Sequence, residues 1–157
     1  MRCTLWVSLL ADEAMIEIPA NLVVQVAYPP IIDELEKVFG PLKGREILYA
    51  WGTTIYNPMA VPVHGQFFAH EGTHGLRQLA PGISIETWWK LYMEERDFRM
   101  QEEMLAHIAE YQAFCILHKD RNMRAIYLDK VARKFISPLY KFDVTYKDAK
   151  EFIRRAR

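Results

Sequence analysis

The chain predicts an α+β fold dominated by helices, with a small N-terminal sheet or hairpin. Its β-forming runs, broken by turn residues, are confined to the first 56 residues. Beyond them, cap and break signals divide the sequence into helical segments. One segment, 98–118, is rich in Met, Glu, Ala, Gln and Leu and free of Gly and Pro. With 157 residues, 51% of them hydrophobic, the chain is long enough to bury a core and reads as one domain, 1–157.

The elements follow in order. Residues 4–10, TLWVSLL, alternate poorly and read as a strand buried on both faces. The same stretch is too brief, and too poor in basic residues beyond Arg2, to read as a signal peptide. Pro29-Pro30 opens an amphipathic helix over 31–39, closed by Gly40-Pro41. Residues 46–51 and 54–56 flank Gly52-Thr53 as a hairpin or bent strand, ended by Asn57-Pro58. A helix over 63–79 starts after Pro62 and is broken by Ala80-Pro81-Gly82. Ser84, with Glu86 and Thr87 behind it, caps a helix carrying Trp88, Trp89 and Tyr92. That aromatic cluster reads most simply as core; the other reading is a cleft wall. After the helix over 98–118, Asp120-Arg121-Asn122 turns into a helix ending near Ile136-Ser137-Pro138. A last short helix covers 146–155.

The chemistry is concentrated at His70-Glu71-Gly72-Thr73-His74, which spells H-E-x-x-H. On a helix the two histidines sit at i and i+4 and project from one face, close enough to grip one metal ion. Zinc takes imidazole nitrogen at about 2.0–2.1 Å and prefers four ligands, so this pair fills half a shell. Glu71 can stay off the ion and take a proton from a water that the ion activates. A chain of this composition shows the pattern by chance about one time in a hundred, so context matters. Val63, Phe67, His70, Glu71 and His74 share one helical face, apolar at its start and metal-competent after. Gly65, Gly72 and Gly75 each cost roughly 1 kcal/mol against alanine inside a helix. At Gly72 and Gly75 the gain is close approach of another element to the back of the helix.

A catalytic zinc site usually has three protein ligands and one open position, so the third is sought on another helix. Glu103, Ala106, His107 and Glu110 line one face of 98–118 at i, i+3, i+4 and i+7. Glu102 points about 100° away from Glu103, so only one of the two can face the metal. Glu103 ranks first as third ligand, Glu110 second and Glu102 third. Glu110 could instead receive a ligand imidazole N–H. The plainer alternative is a solvated glutamate face.

H-E-x-x-H followed by Glu103-Met104-Leu105-Ala106, an E-x-x-A, resembles the gluzincin metallopeptidases. Thr54-Ile55-Tyr56-Asn57-Pro58, the Arg77-Gln78 pair that ends the motif helix, and the segment 101–111, QEEMLAHIAEY, are also similar to small HExxH proteins encoded in phages and prophages. The resemblance covers roughly 47–114. It implies a zincin-like, minimal gluzincin domain holding Zn2+ through His70, His74 and Glu103, with Glu71 as the catalytic base. It also implies a peptide or protein substrate, with phage structural proteins as possible partners and host cytoplasm or virion as the setting. Two positions depart from the pattern. Gly72 is unusual mid-motif, and His107 stands where an aromatic is expected, so it can compete as ligand or act behind the ligands.

Two rival classes remain open. One is a phage virion structural or assembly protein that keeps the peptidase fold with little or no activity. The other is a di-iron helical protein, because Glu71-Gly72-Thr73-His74 also reads as E-x-x-H, but no second E-x-x-H accompanies it. Twenty acids against twenty bases remove any global argument for nucleic-acid binding. Charge is uneven, with 12 Lys and Arg against 5 Asp and Glu from Lys119 onward, which reads as a solvated tail or a dock for an acidic partner. Cys3 and Cys115 fit two free thiols. No stretch approaches 18 apolar residues, so no membrane span is expected. The 46–56 strand edge could hold an extended peptide, and His64, His107, Tyr56 and Tyr140 are the candidates for stabilising an oxyanion.

Overall fold

The computed structural model describes residues 17–155, so the strand expected over 4–10 and Cys3 lie outside the described residues. Described elements run β1 (Val23–Gln25), α1 (Ile32–Phe39), β2 (Tyr49–Trp51), β3 (Thr54–Tyr56), α2 (Gly65–Gln78), α3 (Ile85–Glu94), α4 (Arg96–Leu117), α5 (Arg121–Phe135) and α6 (Tyr146–Arg155). This is the helix-dominated α+β arrangement that the sequence predicts. No described helix is long and apolar enough to cross a membrane.

Local chemistry sets the helix ends. Ser84 Oγ accepts from Thr87 N at 3.1 Å, and Asp120 Oδ1 accepts from Met123 N at 2.8 Å, each satisfying an orphan donor of the first turn. Gly40 closes α1 with φ +80°, a conformation that costs glycine nothing. The motif helix starts at Gly65, two residues later than its expected start. Asn57 holds Val61 from both sides, accepting from Val61 N at 3.0 Å and donating to Val61 O at 2.8 Å, and Pro62 keeps Val61 extended. Gly65 therefore occupies the first turn, and only Gly72 and Gly75 are interior.

Both interior glycines sit where another element presses on α2. A Cβ at Gly75 would lie 2.2 Å from Gly52 O in the β2–β3 turn, and one at Gly72 would lie 2.6 Å from Ile18 Cγ2. The expected hairpin is present but begins at Tyr49, paired antiparallel to β3 with Ala50 opposite Ile55. Beyond the sequence reading, β1 adds parallel to the other side of β3, giving the order β1-β3-β2. Its three exposed residues carry no alternation, so the pairing has no local signal.

Two apolar clusters flank the centre. One joins α1, β2 and α3 through Leu35, Tyr49, Trp88 and Trp89; the other joins α4, α5 and α6 through Tyr111, Val131, Phe135 and Ile153. Helices α2 and α4 pack between them, and the small residues Ala69, Ala109 and Ala113 let the two backbones come close.

Candidate metal centre

The α2–α4 packing brings the predicted ligands together. His74 Nε2 lies 3.3 Å from Glu103 Oε1, and His70 Nε2 lies 3.8 Å from Glu103 Oε2. Four ligands around zinc at about 2.0–2.1 Å stand roughly 3.3–3.4 Å apart, so these separations suit one shared ion. His70, His74 and Glu103 form a buried group able to hold a metal ion. Glu102, ranked third, faces away and takes a bidentate bond from Arg77 at 2.7–2.8 Å.

Glu110 supplies the outer support. Its Oε2 accepts from His70 Nδ1 at 3.0 Å and from His107 Nδ1 at 2.9 Å. Its Oε1 accepts from Tyr127 OH at 2.7 Å and Lys134 Nζ at 2.8 Å. This carboxylate fixes both imidazoles as the Nδ1–H tautomer and leaves their Nε2 lone pairs facing Glu103. His70, His107 and Glu110 make a second group with metal-competent spacing. There, however, the Lys134 ammonium already occupies Glu110, and like charge disfavours a cation beside it. The first group is the better site.

Several atoms of the site are buried without partners. Glu103 Oε2, His107 Nε2 and His74 Nδ1 have no hydrogen-bond partner. A carboxylate oxygen and an imidazole lone pair, 3.6 Å apart across the pocket, are two acceptors with no donor between them. Buried acceptors without donors are rare and costly, and a cation satisfies both. The donor set therefore fits a metal.

The electrostatics agree. Burial raises Glu103, but the His74 hydrogen bond and the three histidines outweigh it and hold the carboxyl well below its ordinary range. Burial likewise opposes ionisation of Glu110, and the hydrogen bonds from His107 and His70 override it. Burial pulls His70 down to about 4, so it is a neutral ligand-ready imidazole near neutral pH. Burial also works against charge on His74, yet its hydrogen bond to Glu103 leaves it raised. Glu71 is pushed up to about 7 by burial. Among the described residues it belongs to neither metal-competent group.

The site forms the floor of an open cleft of about 710 Å³, which Glu71 also lines. Trp88, Trp89 and Tyr92 are at once core and cleft wall. Tyr92 OH donates to Glu103 Oε1 at 2.6 Å, and burial with the neighbouring Glu103 carboxylate pushes the Tyr140 phenol up. The buried Arg99 donates to Tyr92 O at 2.7 Å and to Tyr140 O at 3.3 Å, tying down both segments. The supporting roles of Tyr92, Tyr127 and Lys134 were not read from the sequence. Tyr92 carried a usable signal, since a hydroxyl on a buried apolar face must find a partner. Of the oxyanion candidates, His107 is engaged by Glu110, Tyr56 does not line the cleft, and His64 and Tyr140 do.

The β2 edge of the hairpin has one outward backbone carbonyl already engaged. In a two-residue hairpin the residue next to the turn-flanking pair points its carbonyl outward. Here that carbonyl, Ala50 O, already accepts from Gln78 Nε2 at 3.1 Å and Trp89 Nε1 at 3.2 Å. Comparison with family models, with characterised proteins and with solved structures finds no match to this chain.

Proposed function

We propose that this chain is a zinc-dependent peptidase or amide hydrolase with a zincin-like, minimal gluzincin fold. The observation that carries the reading is the convergence of two imidazole Nε2 atoms and one buried carboxylate from α2 and α4, on the floor of an open cleft that Glu71 also lines. His70, His74 and Glu103 are the residues to hold the ion. When bound, zinc supplies Lewis acidity toward a water and toward the carbonyl to be cleaved. Glu71 takes the water's proton on its carboxylate and passes it to the leaving amine. Glu110 keeps His70 in the ligating tautomer, and Tyr92 fixes the Glu103 carboxylate.

The second reading is a phage virion or assembly protein that keeps this fold without turnover. The capped Ala50 carbonyl favours it, because a peptide added at the β2 edge would have to displace Gln78 and Trp89. One sequence of measurements separates the two. Elemental analysis of purified protein should give zinc near one per chain, and zinc-loaded protein should cut a broad peptide library. Glu71→Gln should keep the zinc and lower turnover by about 10²–10⁴ or more. An uncut library with zinc bound would transfer the assignment to the structural reading.

A further inference from the structure

We infer that Lys130 binds a carboxylate on the substrate, so that the cleft favours acidic peptides at its α5 side. The inference rests on the hydrolase reading above and names the substrate class of the same cleft.

The two sides of the cleft differ in kind. One is apolar, built from Phe39 and Leu42 next to Trp88, Trp89 and Tyr92. There Trp89 Nε1 and Tyr92 OH are already spent on Ala50 O and Glu103 Oε1. Such a side takes a large apolar side chain and leaves its orientation to a few polar groups elsewhere.

Helix α5 supplies the other side. Tyr127, Lys130 and Lys134 stand at i, i+3 and i+7 and line the cleft, while Val131 turns into the core. No other Lys or Arg among the described residues lines it. Lys134 is committed, 2.8 Å from Glu110 Oε1 and 4.9 Å from the centre of the Phe67 ring. Lys130 is exposed and has no hydrogen bond or ion pair among the described residues. A lysine elsewhere on the surface is satisfied by water alone. This one meets whatever enters the cleft.

Charge decides what it meets. With zinc bound, the ion and Lys134 together balance Glu71, Glu103 and Glu110, so the floor does not repel an anion at the α5 side. Glu46, exposed and likewise lining the cleft, adds a negative charge beside the apolar cluster that Ile47 joins. A carboxylate is therefore drawn toward α5 and away from Glu46. The Lys130 ammonium is a compact charge with three donors on a flexible stem, suited to a carboxylate arriving at variable angles. On a peptide that group is an Asp or Glu side chain or the free C-terminus.

The test uses matched peptides. Zinc-loaded wild type first digests a broad peptide library, and a well-cut sequence is remade as a Glu and Gln pair and as a C-terminal acid and amide pair. Wild-type kcat/KM should favour the charged member of at least one pair by about 2–5-fold, the size of one exposed ion pair. The preference should shrink at high salt. Lys130→Ala should bring that ratio near one, and Lys130→Glu should invert it. A response in the first pair alone assigns the side chain, and in the second alone the C-terminus. Ratios near one for both pairs in wild type, or a wild-type ratio kept in Lys130→Glu, would overturn the inference and leave the hydrolase reading standing. A library left uncut would remove both. Lys130→Met, which keeps the length of the stem, replaces either variant that fails to fold.

Discussion

Glu102 and Glu103 are neighbours in sequence, equally buried, and opposite in consequence. Glu103 meets two motif histidines, while Glu102 meets Arg77 on the solvent side of α2. Glu103→Gln should therefore weaken zinc binding by more than the 10–100-fold typical of a group behind the ligands. Glu102→Gln should leave zinc affinity nearly unchanged and lower stability only modestly, since Arg77 is half exposed. Competitive chelator titration of both variants checks this, and equal losses would mean that the register of α4 is misread. His70, His74, Glu71 and Glu103 were legible because i, i+4 spacing and the 100° step between adjacent side chains are properties of one helix. Tyr92, Tyr127 and Lys134 were not, because each reaches the site from a different helix, and no local periodicity encodes which helices meet.

At the scale of elements, α2 is held by what its last two residues do. Arg77 clamps α4, while Gln78 donates to Ala50 O and accepts from Gly52 N at 2.7 Å, fastening the hairpin. Gly75 allows that seat, with Gly52 O where a side chain would begin. Gly75→Ala drives a methyl group into a backbone carbonyl and should cost about 1–3 kcal/mol, despite alanine's better helix propensity. Urea unfolding would show it as a lowered midpoint at unchanged slope; a midpoint at or above wild type would mean that the hairpin is not seated there. The glycine pattern in the sequence announced a close approach but not the partner. The capping residues Ser84 and Asp120 announced their helices fully, because a cap acts within three residues.

Taken whole, the molecule has two apolar clusters joined through a polar centre. The groups there come from α2, α3, α4 and α5 and from Tyr140 beyond them. An ion bound at that junction stabilises the folded chain by mass action, about 2.7 kcal/mol at a hundred times its dissociation constant. For a chain of this size that corresponds to a melting shift of roughly 5–11 °C. Adding a chelator should lower the melting temperature by that order, and zinc should restore it. A melting temperature indifferent to both would mean that no metal bridges these helices. The parallel strand β1 escaped the sequence reading for a related reason, since its partner β3 is some thirty residues away and nothing local names it.

The Glu110 carboxylate, receiving four donors at once, has a kinetic consequence. Glu103 and Glu110 are both held ionised and His70 is neutral, while Lys134 pairs with Glu110 and the raised His74 faces Glu103. With His74 deprotonated, as a ligand must be, the floor of the cleft is net negative in a chain whose acids and bases cancel, 20 against 20. Such a floor draws divalent cations in from solution faster than free diffusion would deliver them, and dissolved salt weakens that pull within a Debye length of about 10 Å at 0.1 M. On the metal reading proposed above, capture would be steered by two buried carboxylates rather than by the charge of the whole molecule.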